Sequence, residues 1–225
     1  MIRIPLAAAF IALAVSVLPA DDAMLTVKVE KAEPPKELGD AVRGLLSDQA
    51  MNVLDEKGQP LCTVWPVKSL TPKAGADPSK GLKYSQVDET TVVGAVKFPG
   101  EWRDYRKQKI KPGVYTMRLA TQPMDGDHMG TAPYNEFLLL SPAAEDKKAD
   151  LLDVEALYKQ STKSTTRKHP GVMLLFPNKT PPESPAVEAK PLNHVVLSFG
   201  VPAVAGKEKG TLGLSLVVVG ETMAE

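Results

Sequence analysis

Two carboxylates and an imidazole lie within four residues of one another in Met124-Asp-Gly-Asp-His-Met129, which makes this stretch the strongest metal candidate in the chain. The hard oxygens of Asp125 and Asp127 suit calcium, and calcium loops use acids at alternate positions. Here, however, Gly126 separates the two acids, and the later acidic positions of an EF-hand loop are missing. His128, with Met124 and Met129, forms a softer set that suits copper outside the cytoplasm. Asp125, Asp127 and His128 are therefore candidate ligands for calcium or copper. The commoner use of such residues is a turn braced by Asp-to-backbone bonds, with Gly126 and Gly130 free to adopt positive φ.

A second set of side chains could do recognition rather than metal chemistry. Trp102-Arg-Asp-Tyr-Arg106 is dense in charge yet carries two aromatics, and Tyr134 lies just beyond the Asp125–His128 run. Aromatic faces and guanidinium groups in this pattern form binding surfaces, and equally they anchor a loop to a sheet edge through the ring while the charge stays in water. The candidate binding set is Trp102, Arg103, Tyr105, Arg106, Asp125, Asp127, His128 and Tyr134. Its expected partner is an envelope component, a protein or a small ligand.

Hydrolytic chemistry needs a nucleophile with a base, or two carboxylates facing a substrate. Ser141 and Ser198 lack a GxSxG context, and His128, His169 and His194 are scattered along the chain. Metalloprotease and zinc-deaminase patterns do not occur. The chain is thus expected to be non-catalytic. His169 before Pro170 and His194 at a strand start read as surface or edge residues, and the single cysteine, Cys62, reads as a small buried apolar side chain.

Two strand patterns position the candidate residues. After the Pro112-Gly113 turn, Tyr115, Met117 and Leu119 alternate with Thr116, Arg118 and Ala120, the pattern of a half-buried strand. Glu136 to Leu140 runs apolar on both faces, as a central strand does, until Ser141-Pro142 stops it. Further strands are expected at 24–29, 50–54, 61–67, 82–87, 90–98, 171–176, 194–199 and 212–219, and short helices near 38–46 and 150–158 with Asp150 as N-cap. The proline-rich run 179–191 is expected to be a loop. Roughly eight or nine strands and one or two short helices predict an all-β antiparallel sandwich, jelly-roll or immunoglobulin-like.

Charge narrows function further. The chain has 27 basic and 27 acidic residues in 225, so no basic footprint for nucleic acid exists, and the Lys-rich spots have acids nearby. Arg3, the apolar run Ile4 to Leu18 and Pro19-Ala20 form a signal peptide, cut after Ala20. Export to the periplasm or the medium is expected, with no later span long enough to cross a bilayer. Residues 21–49 read as an extension with a short helix, and 50–225 as one sandwich domain.

The combination of Trp102-Arg-Asp-Tyr-Arg, Ile110-Lys-Pro-Gly-Val-Tyr-Thr, Gln122-Pro-Met-Asp-Gly-Asp-His-Met-Gly, Ala132-Pro-Tyr and Phe137-Leu-Leu-Leu-Ser-Pro resembles a family of uncharacterised bacterial secreted β-sandwich proteins, a domain of unknown function. The similarity spans about residues 61–143. It implies export and an all-β fold, and it carries no active residues to transfer.

Overall fold

A computed structural model describes residues 25–122, 132–167 and 169–222. The expected signal peptide, and Asp125, Asp127 and His128, lie outside the described residues. The chain forms an antiparallel β-sandwich of a seven-stranded and a three-stranded sheet. In the larger sheet the strands are β1 (Thr26–Lys31), β2 (Gln49–Leu54), β3 (Pro60–Pro66), β4 (Val92–Phe98), β7 (Gly113–Thr121), β8 (Glu136–Pro142) and β9 (Gly171–Leu174), in that spatial order. The smaller sheet is β10 (Ala186–Lys190), β11 (His194–Ala205) and β12 (Glu208–Val219). A two-residue ladder, β5 (Trp102–Arg103) with β6 (Lys109–Ile110), is inserted between β4 and β7.

Period-2 geometry explains the core. Leu212, Leu214, Leu216 and Val218 of β12, and Leu197, Phe199, Val201 and Ala203 of β11, point at Val64, Val96, Met117, Leu138 and Leu140 of the larger sheet. Tyr84 ties the layers from outside: its hydroxyl donates to the Phe176 carbonyl at 2.7 Å and accepts from the Ser215 N–H at 3.3 Å. A bridge between Leu175 and Leu216 joins β9 to β12. Cys62 is fully buried on β3, and burial pushes its thiol up to about 12, so it packs as an inert apolar group.

Residues 25–49 are built into the same sheet. β1 pairs along its length with β2, and helix α1 (Asp40–Leu45) buries Val42 against the core together with Leu38 and Leu46.

Strand β7 departs from the half-buried pattern, being buried on both faces from Val114 to Ala120. Thr116 and Arg118 face away from the sandwich core, but the chain after β8 folds back over them. Arg118 is fully buried and uses all five of its N–H groups. Nε and Nη2 grip Asp146 at 2.7 and 2.9 Å, Nη1 donates to the carbonyls of Thr90 (2.6 Å) and Asp150 (3.0 Å), and Nη2 also donates to the carbonyl of Lys148 (2.5 Å). Thr116 Oγ1 donates to the same carboxylate at 2.5 Å. Beyond this clamp, helix α2 (Val154–Ser161) covers Phe137 and Leu139 of β8 with Leu157.

Three expected elements differ. Residues 82–87 form a 3-10 turn at Tyr84–Gln86 instead of a strand, because Tyr84 must aim its hydroxyl at Phe176 and Ser215. Helix α2 starts four residues after Asp150, with Asp153 accepting from the Ala156 N–H, since the Asp150 carbonyl already serves Arg118. Within the proline-rich run, Ala186–Lys190 pairs with β11 as an edge strand.

Candidate functional site

The hairpin β5–β6 sorts its side chains by face. Trp102 pairs with Ile110 and both point inward, while Arg103 pairs with Lys109 and both stay exposed. Trp102 stacks on Phe98 at 4.6 Å and 10° and donates from Nε1 to the Val218 carbonyl at 2.9 Å. The connecting turn is held by Asp104, whose carboxylate accepts from the N–H groups of Arg106, Gln108 and Val172 and from Gln108 Nε2, at 2.8–3.1 Å. The Val172 bond fixes the hairpin onto β9. Arg106 and Lys107 occupy the exposed tip, Lys107 at φ 63°. Lys109 pairs with Glu101 at 3.1 Å, whereas Arg103 reaches only the Lys107 carbonyl and Arg106 and Lys107 have no ion-pair partner among the described residues.

Burial pushes the Asp104 carboxyl above its ordinary 3.8, outweighing the pull of its four N–H donors. With the folded value above the unfolded one, this group's contribution to stability is complete below about 3.8 and is lost as pH rises through the folded value. Asp104→Asn removes that titration. Urea unfolding of both proteins from neutral pH down to about 4 is therefore expected to show the stability difference moving in favour of the wild type on acidification. A difference flat with pH would remove this assignment.

Tyr105 stands at one end of an aromatic chain. Its ring stacks on His194 at 5.7 Å, His194 meets Phe176 at 5.5 Å, and Phe176 meets Tyr134 edge-on at 4.9 Å. Leu174, Val196 and Val217 pack beneath it, with Ala132 at the margin. His194 is buried at 2 % exposure, unlike the surface or edge position expected from its place at a strand start. Its Nδ1 donates to the Pro191 carbonyl at 2.8 Å, and its buried Nε2 has no hydrogen-bond partner among the described residues. Gly220 lies so close that a Cβ there would stand 2.3 Å from His194 Cδ2, so the C-terminal segment presses directly on the ring.

Of the residues expected to bind, the structure brings Tyr105 and Tyr134 to one end of the sandwich, joined through His194 and Phe176. It places Arg103 and Arg106 on the exposed rim of that end and Trp102 in the core. Phe176 and His194 were missed by sequence reasoning, because nothing local marks them; each enters the cluster through partners distant in the chain. Chemically, half-buried rings of Tyr134 and Phe176 at the same end as guanidinium groups that have no ion-pair partner among the described residues can hold an anionic or amphipathic partner.

A separate recess of about 550 Å³ opens between the edges of the two sheets, with Met51 and Phe199 on its walls and Pro181, Pro182 and Pro185 at its lip. That volume is in the range of small-molecule sites. Among the described residues no group of three His, Cys, Asp or Glu side chains is placed to share a metal ion. No helix among them is long and apolar enough to cross a membrane. Comparison of the chain with protein-family models, curated proteins and solved structures returns no match.

Proposed function

We propose that the protein is an exported, non-catalytic β-sandwich that recognises a component of the cell envelope through the end that carries the β5–β6 hairpin and Tyr134. The observation that carries this reading is the ring chain Tyr105–His194–Phe176–Tyr134, which joins two members of the candidate binding set, with Arg103 and Arg106 exposed and without an ion-pair partner among the described residues. Arg3, the apolar run to Leu18 and Ala20 support export to the periplasm or beyond, and so does the resemblance to secreted bacterial proteins.

The test is sedimentation of the exported, purified protein with an isolated bacterial envelope fraction. Retention is expected to saturate, and Arg103→Glu/Arg106→Glu is expected to weaken it by about tenfold or more with an unchanged melting temperature, since both side chains are exposed. Equal retention of wild type and variant would end this reading.

A further inference from the structure

Two turn tips stand side by side at the end described above, and both hold side chains that the fold does not need. The β5–β6 tip carries Arg106 and Lys107, and the β10–β11 tip carries Leu192 and Asn193. The Tyr105–His194 stack locks them together, because Tyr105 precedes Arg106 and the His194 imidazole is bonded back to Pro191 across Leu192. Leu192 is the most exposed large apolar side chain among the described residues, at 63 %, and sits at φ 63°. That left-handed conformation is one that Gly or Asn adopts at less cost, and Asn193 beside it takes it at φ 56°. A leucine there is strained and mostly in water. Val219, 41 % exposed, adds apolar surface at the same end of β12.

Among the described residues, exposed cations outnumber acids around these tips. Arg103, Arg106 and Lys107 are exposed without an ion-pair partner among the described residues, and Glu221 lies on the adjoining C-terminal segment, where the Thr222 N–H bonds the Tyr105 carbonyl. In a chain whose charges cancel overall, the described residues thus place a group of cations around an exposed aliphatic tip. Cations that reach phosphates while a leucine enters the boundary below them is the chemistry of an anionic bilayer surface. A soluble polyanion would use the cations but has no use for the strained leucine.

Resting on the reading of this end as the recognition surface, we propose that it docks on an anionic phospholipid bilayer, with Leu192 entering the headgroup layer and Arg103, Arg106 and Lys107 on the lipid phosphates. The experiment is co-sedimentation of the exported full chain with vesicles of phosphatidylcholine alone and of phosphatidylcholine mixed with phosphatidylglycerol. Partition into the anionic vesicles is expected to exceed that into neutral ones by about tenfold or more and to fall with added salt. Arg106→Gln/Lys107→Gln is expected to lower it roughly 30-fold, from about a factor of five for each charge. Leu192→Gly relieves the backbone strain, so the variant should fold at least as stably as the wild type while losing about tenfold in partition. Equal binding to both vesicle types, wild-type binding by Leu192→Gly, or full displacement by a soluble anionic polysaccharide of matched charge would each overturn the proposal. If the envelope fraction still retains the protein through Arg103 and Arg106 while vesicles do not, the bilayer assignment falls and the recognition reading stands. If neither retains it, both fall.

Discussion

Replacing Arg118 by methionine is expected to lower the unfolding free energy by about 3–5 kcal/mol, the cost of leaving one partner of a buried ion pair alone. Asp146 is 1 % exposed and would keep only the Thr116 hydroxyl and whatever water could enter. Three backbone carbonyls, those of Thr90, Lys148 and Asp150, would lose their donor at the same time. The double change Arg118→Met/Asp146→Leu removes both charges and should be less destabilised than either single variant, because the largest part of the single cost is an uncompensated charge. Urea unfolding of the four proteins measures the cycle. A loss below about 1 kcal/mol for Arg118→Met would mean that the clamp contributes no more than a surface pair. The 143–153 segment should also lose amide protection first in the variant, since the guanidinium makes most of the hydrogen bonds that attach it to β7.

Trp102→Ala should cost about as much, roughly 3–5 kcal/mol, by opening a cavity against Phe98 and orphaning the Val218 carbonyl. Trp102→Phe preserves the stack but not the donor, so a loss of about 1–2 kcal/mol is expected. The pair of variants separates two roles for this residue. With Trp102 in the core, envelope binding should be unchanged in the phenylalanine variant once the folded fraction is accounted for. If binding falls while the melting temperature holds, the ring acts in recognition and its buried placement does not describe the bound state.

Much of the fold could be read locally. The alternation of Tyr115, Met117 and Leu119 puts that face inward, and the even spacing from Leu212 to Val218 does the same for β12. What period-2 geometry could not say is what covers the other face. Arg118 is a surface residue by its neighbours and a core residue by Asp146, 28 positions away. The prolines at 181, 182, 185 and 191 argued for a loop, yet they bracket five proline-free residues, enough for an edge strand whose donors face β11. The site was legible in the same partial way. Residue types marked Trp102 to Arg106 and Tyr134 as interesting, but the direction of each ring was set by Val218, His194 and Phe176, and no local signal carries that information.

The order of strands in the larger sheet has a kinetic corollary. Every strand from β1 to β9 pairs with a neighbour in sequence, apart from the small β5–β6 insertion, and β10 to β12 do likewise. Ladders of this kind close loops between consecutive strands, and because loop-closure cost grows slowly with length, each sheet can grow one strand at a time at modest entropic cost. The contacts that join the sheets are of another kind: Trp102 to Val218 spans 116 residues and Tyr84 to Ser215 spans 131. Those closures are expected at the end of folding, when the β11–β12 hairpin docks. The end that carries Tyr105, His194 and Leu192 is thus completed last, only after both layers exist to support it.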